Sequence, residues 1–259
     1  MILRRFAEAL KQQNWAAIAI EFVLLVLGVF LGIQMSNWNQ ERETAKKAAV
    51  FTQRLREDLR VEAWRFEAIN RYYENVRSNA ERTLYALEGK LALSNEALLI
   101  AAYRATQYAE FVQYRATYDE LTSTGNIVLI ADPTLRRLAT EVYSTGLYQN
   151  VKNEGVNSRY RVAFRMLVPL DVQTAIATNC GDKTSEVNNY RSIENLIDYE
   201  CSTGLPPRDI DSTATLLRSD AALVPLLRLR ITDINSAVGT RVMSQAVLQD
   251  LEALSGKRP

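Results

Sequence analysis

Adjacent carboxylates are one arrangement in this sequence that could do chemistry. Asp119 and Glu120 follow each other near the end of a predicted helix, where they could bind a cation or a basic group. A catalytic carboxylate pair would also need both groups to face one reacting atom, which sequence does not establish. The simpler interpretation is that Tyr118 and Leu121 pack inward, both acids face solvent, and Gly125 ends the helix. We therefore assign no catalytic role to either carboxylate.

Composition removes most other catalytic chemistry. The 259 residues contain no histidine, which excludes Ser-His-Asp and Cys-His catalysis and every zinc site with a histidine ligand. The Ser and Thr residues beside Lys183 do not have the Ser-x-x-Lys spacing of a lysine-activated nucleophile. We expect a protein that is not an enzyme, with no catalytic residue, no metal and no cofactor.

The segment Trp15–Ile33 is apolar enough to cross a membrane. Its nineteen residues include one charged side chain, and as a helix they would span roughly 28 Å, close to the thickness of a hydrocarbon core. Trp15 and Trp38 bracket the segment, and with Asn37 and Asn39 they form an expected interfacial anchor in the headgroup layer, the alternative being a grip on a partner. A cleaved signal peptide is disfavoured because the apolar region is long and no small-x-small cleavage site follows it.

Three residues of this segment share one helix stripe. Gly28 and Gly32 follow Glu21 by 7 and 11 residues, offsets that return to the same side of a helix. The glycines form a Gly-x-x-x-Gly pair, on which two helices can approach closely. An ionisable residue inside lipid usually faces protein or water, so the stripe predicts self-association or a membrane partner. Two alternatives stay open: Glu21 snorkels to the interface, or it carries protons or ions.

Basic residues and cysteines predict the sidedness of the span. Arg4, Arg5 and Lys11 precede it, and the positive-inside rule keeps such residues in the cytosol. The two cysteines, Cys180 and Cys201, lie in one loop and are more typical of a disulfide in an oxidising compartment than of two unrelated thiols. We expect a bacterial inner-membrane protein with a cytoplasmic tail at 1–14, a transmembrane helix at 15–38 and a periplasmic domain at 39–259.

Beyond the span, apolar residues recur at steps of three and four, which predicts long amphipathic helices. The first is expected to begin within 42–49 and to end at Gly89. The second runs from an N-cap at Ser94 to a stop at Gly125. The stripe of the first helix is wider than a two-stranded seam, which favours a helical bundle over a bare coiled coil.

The second half of the chain continues this pattern around one irregular loop. Asp132-Pro133 predicts the start of a third stretch that includes Leu167, with glycines 146 and 155 as candidate interruptions. The loop at 169–211 carries both cysteines and is expected to be irregular apart from a short helix within 185–200. Ser212 opens the last stretch, where Pro225 must either kink the helix or start a new one.

These stretches predict an all-α fold. The N-terminal transmembrane helix continues into a long stalk helix and an antiparallel helical bundle with one disulfide-stapled loop. Several tyrosines at helical spacing are expected in the bundle core with their hydroxyls at its rim: Tyr72, Tyr73, Tyr103, Tyr108 and Tyr114. The alternative is that they line a ligand pocket between helices.

Two motifs resemble a known family. The first is Asn37-Trp38-Asn39 at the membrane exit, and the second is the segment Thr117–Leu121 with Gly125 four residues later. Together they resemble an uncharacterised family of bacterial single-span membrane proteins, a domain of unknown function, over about the first 130 residues. The resemblance implies an anchored, exported helical domain and supplies no activity.

Charge and architecture separate the remaining functional classes. From residue 39 onward the chain has 28 basic and 28 acidic residues, which gives no electrostatic footprint for nucleic acid. We expect the lipid bilayer and either a second copy or a membrane protein as partners, and hence a noncatalytic interaction or scaffolding protein. The alternatives are a periplasmic ligand sensor that signals through a partner, and a subunit of an ion-driven membrane motor or transport complex.

Overall fold

The computed structural model describes residues 15–144, 146–194, 196–239, 249–251 and 253. Throughout these residues the regular elements are helices, and no β-strand occurs, which confirms the all-α fold class. The chain divides between Thr52 and Gln53 into two compact units. The expected cytoplasmic tail at 1–14, with its three basic residues, lies outside the described residues.

The longest element is helix α1, Trp15–Leu87. It contains no glycine or proline between Ile33 and Leu87, so nothing in that stretch breaks the backbone hydrogen bonds. The expectation that a new helix begins within 42–49 is wrong, because the apolar N-terminal helix continues through it. Gly89 ends the element as predicted, since its φ of +72° is a left-handed conformation that glycine adopts without strain.

The predicted second helix is split into two shorter ones. It starts as predicted at Ser94, whose hydroxyl caps α2, Asn95–Arg104, by accepting an N–H of its first turn over 3.2 Å. Irregular backbone follows until α3, Ala116–Ser123, and a 3₁₀ turn, Asn126–Leu129, comes after it. The prediction of one helix as far as Gly125 is therefore wrong.

A side chain from a distant helix holds the backbone where α2 ends. Arg230 donates from Nε to the carbonyl oxygen of Ala105 over 3.1 Å and from Nη2 to that of Gln107 over 2.7 Å. These carbonyl oxygens would otherwise accept the N–H groups of a continuing helix. The apolar spacing is misleading in this stretch, because Val112, which lies at helical spacing from Leu98 and Ala105, is 71% exposed.

The stretch after Asp132 forms three helices joined by short links: α4, Pro133–Ser144, α5, Leu147–Val156, and α6, Arg159–Leu167. Asp132 Oδ1 accepts the N–H groups of Thr134 and Leu135 at 3.0 and 3.2 Å, which confirms the predicted N-cap. Gly146 precedes α5 and so interrupts the stretch as expected, whereas Gly155 lies inside α5.

The irregular loop is shorter than predicted. Its first part is helix α7, Leu170–Cys180, so the irregular backbone covers the described residues 181–194 and 196–206. A 3₁₀ turn, Tyr190–Ile193, forms where a short helix was expected within 185–200. Pro169 occupies the N-cap position of α7, where its missing N–H costs nothing, and it therefore starts a helix.

Two more helices follow the loop: α8, Pro207–Ser219, and α9, Leu223–Gly239. The predicted start at Ser212 is wrong, because Pro207 already occupies the first helical position, which suits its fixed φ. Pro225 lies in the first turn of α9, so the chain starts a new helix there, one of the two predicted outcomes. The continuation of this stretch over 240–248 lies outside the described residues.

Within the second unit, helices pack around residues 55–84 of α1. One core cluster joins Leu84 of α1 to α2, α6, α7, α8 and α9, with Phe164 and Ile176 fully buried in it. A second cluster joins the part of α1 around Tyr73 to α5, α9 and the irregular loop, from which Ile197 inserts. Burial of each such side chain contributes about 1.5–3 kcal/mol, which fixes the loop against the helices.

Candidate functional site

Glu21, Gly28 and Gly32 form a bare stripe on α1. A turn of about 100° per residue places the three within roughly 40° of one another around the helix axis. The Glu21 side chain is exposed, and a Cβ added to either glycine would meet no atom of another element within 4 Å. The stripe therefore leaves room for a second backbone to approach closely.

The surface around this stripe is apolar. The most apolar 18-residue window of α1 has a mean hydropathy of 2.4, and none of it is buried inside the chain. By length and composition this helix can cross a bilayer, and a signal sequence meets the same criteria. Each large apolar side chain left in water forgoes about 1.5–3 kcal/mol of burial, so the segment favours lipid or another protein surface.

The predicted interfacial anchor is exposed on the same helix. Trp38 is 53% exposed, and the guanidinium of Arg42 lies 5.0 Å from the centre of its ring. Asn37 and Asn39 are exposed on either side of it. The side chain of Trp15, the other predicted anchor, lies outside the described residues.

The adjacent carboxylates do not form a shared site. Asp119 is bound by Arg115 over 2.9 Å, and Glu120 is paired with Arg54 over 3.0 Å, all of them exposed on the surface. Leu121 is fully buried, as predicted. Among the described residues no group of three acidic or cysteine side chains could hold a metal ion.

Two of the five tyrosines expected in the core are buried there with bound hydroxyls. Tyr72 donates to Asp182 over 2.6 Å, and Tyr73 donates to the carbonyl oxygen of Val151 over 3.0 Å. Both rings are buried, whereas Tyr114 is 53% exposed. Tyr72 and Tyr73 therefore lie in the core as predicted, although their hydroxyls bind partners inside the domain instead of reaching its rim. Tyr103 and Tyr108 are only half-buried.

The two cysteines form the predicted disulfide. Their Cα atoms are 5.5 Å apart, and the bond closes the irregular loop onto the C-terminal end of α7. Cys180 is fully buried and Cys201 is half-buried. On the chain-entropy model a loop of this length contributes about 3 kcal/mol to stability.

Arg104 of α2 holds both ends of this loop. Its Nε donates to the carbonyl oxygen of Cys180 over 3.4 Å, and its Nη2 donates to that of Tyr199 over 2.8 Å and to Sγ of Cys201 over 3.4 Å. Nη1 pairs with Asp198 at 3.3 Å. Burial lowers the pKa of Arg104, and the carboxylate of Asp198 opposes that shift. A charge at this otherwise apolar position therefore fixes the loop.

A buried carboxylate holds the irregular segment that follows α2. Glu62 of α1 is 1% exposed and accepts the N–H of Tyr114 and the hydroxyl of Tyr148, both over 2.6 Å. One turn earlier, Asp58 accepts the N–H of Thr117 over 3.3 Å. Burial raises the pKa of Glu62, while the two donors oppose this shift.

A buried ion pair completes this polar interior. The Arg230 side chain is fully buried and donates from Nη1 to Oε2 of Glu154 over 2.6 Å. Sequence reasoning missed both residues, although a signal exists: Arg230 lies three residues after Leu227 and four before Ile234, which are core positions. Charged residues on an apolar face indicate buried networks more reliably than charged residues elsewhere.

Comparison with known proteins gives one match. Residues 21–161, from the stripe on α1 into α6, match the model of a family of unknown function (DUF6090). No curated protein and no solved structure matches the chain. The family match reaches residue 161, further than the first 130 or so residues over which the two sequence motifs resemble a family. The disulfide loop lies outside the match.

Proposed function

This chain belongs to the family of unknown function DUF6090, and we propose that it is a noncatalytic interaction protein, anchored in a membrane and self-associating through α1. The stripe of Glu21, Gly28 and Gly32 is the observation that carries this proposal. Residues 18–33 of α1 are all exposed and contact no other described element, and the two glycines among them permit close approach of a second helix. An acid on the same stripe favours a protein neighbour over lipid.

The same proposal includes an orientation. The N-terminus lies in the cytoplasm of a bacterium and the helical domain lies in the periplasm, anchored in the inner membrane. Arg4, Arg5 and Lys11 ahead of the span support this direction, and the Cys180–Cys201 disulfide suits an oxidising compartment. A phosphatase fused after Pro259 should be active; activity from a cytoplasm-specific reporter alone would reverse the orientation. Release of the intact chain by carbonate would contradict the anchor.

Self-association is tested by crosslinking in native membranes and by mass measurement in mild detergent. The wild-type chain should form a defined oligomer, and Gly28→Leu or Gly32→Leu should shift it toward monomer by blocking close approach. Ala19→Leu is the matched control, because it introduces the same side chain about 180° around the helix from Gly28. A monomer under every condition, or equal effects of all three substitutions, would contradict self-association through the stripe.

A further inference from the structure

The two sulfur atoms of the disulfide differ in their access from outside. Cys180 is 0% exposed, whereas Cys201 is half-buried and lines a cavity of about 580 Å³. A cavity of this size falls within the range of small-molecule sites, about 300–1,000 Å³. A nucleophile can therefore approach Cys201 in the folded chain, while Cys180 is shielded by the core.

Two guanidinium groups line the same cavity. Arg104 is 4% exposed and donates to Sγ of Cys201 over 3.4 Å, and Arg82 lies 3.9 Å from Asp198. Asp198 is shared by both arginines, and the other acid of the cavity wall, Glu200, is exposed. The guanidinium of Arg104 is in hydrogen-bond contact with Sγ of Cys201 and is little screened by solvent, so its positive field acts directly on the sulfur.

We propose that Cys201 is a thiol-exchange site, at which a small anionic thiol enters the cavity and attacks the disulfide of the folded protein. The positive field favours a negatively charged thiolate, which is the nucleophile in disulfide exchange. Apolar side chains such as Ile100 supply a floor for the carbon skeleton of the thiol. The proposal is independent of self-association, since every residue it uses lies in the second unit.

The exchange step balances with the entering thiol as the reductant. The thiolate sulfur forms a bond to Sγ of Cys201, the Cys180–Cys201 bond breaks, and its electron pair passes to Sγ of Cys180, which leaves as a thiolate. A second thiol then attacks the mixed disulfide, which leaves both cysteines reduced and releases a disulfide of the small thiol. Arg104 still binds the carbonyl oxygens of Cys180 and Tyr199, so the loop stays attached during the first step.

The position of the adduct tests the route of attack. The full chain in mild detergent is incubated with reduced glutathione, exchange is stopped with acid because this protonates thiolates, and peptide masses locate the adduct. Glutathione should be found on Cys201, while circular dichroism shows the helical content unchanged. Glutathione on Cys180, or no adduct until denaturant is added, would overturn the proposal.

Two substitutions test entry through the cavity without touching the sulfur atoms or Arg104. Arg82→Gln should slow exchange by about two- to fivefold at low salt, the effect of one partly screened charge. Arg77→Gln is the matched control. Like Arg82, Arg77 is 41% exposed and lies 3.9 Å from the carboxylate of its ion-pair partner, but it lies elsewhere on α1. Ala97→Phe should slow exchange by filling the cavity. If Arg82→Gln and Ala97→Phe both undergo exchange as fast as Arg77→Gln, the proposal is overturned.

Discussion

Tyr148 donates its hydroxyl to Oε2 of Glu62 over 2.6 Å, and this buried bond joins α5 to α1. The other carboxylate oxygen of Glu62 accepts the N–H of Tyr114 over 2.6 Å, which joins α1 to the irregular segment after α2. One acid thus connects three parts of the second unit. The charges that face it are Asp58 and Arg65 on α1, and burial raises its pKa more than Arg65 and the two donors lower it.

The first prediction concerns the pH dependence that Glu62 imposes. Because its folded-state pKa is raised above the ordinary 4.5, the folded chain binds this proton more tightly than the unfolded chain. The resulting stabilisation is complete below about pH 4.5 and is lost as pH rises through the folded-state pKa. Glu62→Gln can accept the N–H of Tyr114 and donate to Tyr148, and it does not titrate.

Melting temperatures of the wild type and Glu62→Gln, measured from about pH 4 to about pH 8, check this prediction. The wild type should lose stability relative to the variant as pH rises. Other buried acids titrate in both proteins, so their effects on the melting temperature cancel in the difference between wild type and variant. A difference that is constant with pH, or that grows in favour of the wild type, would contradict the raised pKa.

The second prediction separates charged from neutral hydrogen bonds. Tyr148→Phe removes a donor from Glu62, which should cost about 1.5–3 kcal/mol where Glu62 is ionised and less where it is neutral. Tyr73→Phe removes a bond to a carbonyl oxygen, which should cost about 0.5–1.5 kcal/mol at either pH. Denaturant titrations at about pH 4 and about pH 8 give the loss of unfolding free energy for each variant at each pH. The same pH dependence in both variants would contradict the prediction that only the Tyr148 bond involves a charged acceptor.

The third prediction concerns the buried ion pair. Arg230→Met leaves Glu154 without its cation and two carbonyl oxygens without a donor, which should cost about 3–5 kcal/mol. Adding Glu154→Gln should restore part of this loss by removing the uncompensated charge. Arg228→Met is the control, because Arg228 is 62% exposed and its pair with Glu88 is screened by solvent, so its loss should change stability little. Similar losses at Arg228 and Arg230 would show that the pair is not effectively buried.

Local signals in the sequence predicted two helix starts and the end of α1 at Gly89, whereas contacts with distant residues accompany the end of α2. Ser94 and Asp132 were predictable N-caps because a cap depends on the residue itself and the next three positions. The break after α2 depends on Arg230, which is 125 residues from Ala105 in the chain, and on Glu62, which is 52 residues from Tyr114. No local pattern contains such a contact, so that break could not be predicted.

The same distinction applies to the candidate sites. The stripe of Glu21, Gly28 and Gly32 needs only helical periodicity, so its residues could be selected from the sequence. The pairing of Cys180 with Cys201 was also predictable, because the chain has just two cysteines. The cavity beside Cys201 was not, since it depends on where the irregular loop lies against α1 and α2.

The fourth prediction concerns close packing between α5 and the irregular segment. A Cβ on Gly155 would lie 2.2 Å from Cβ of Tyr108, so Gly155→Ala forces backbone movement and should cost about 1–3 kcal/mol despite the better helix propensity of alanine. Gly146→Ala is the control, because its nearest contact is Asn150 at 3.6 Å, an ordinary distance. Denaturant unfolding checks both, and equal stability of the two variants would contradict the contact with Tyr108.

The last prediction concerns the role of Glu21 in the proposed helix contact. Glu21→Gln keeps hydrogen-bonding groups on the stripe and removes the charge, so crosslinking in membranes should retain the oligomer. Glu21→Leu removes the polar group as well and should weaken association by about 1 kcal/mol, or roughly fivefold in the dissociation constant. Glu41→Gln is the control outside the apolar segment. Loss of biological function in Glu21→Gln with the oligomer intact would instead favour an ion-carrying acid, as in a membrane motor.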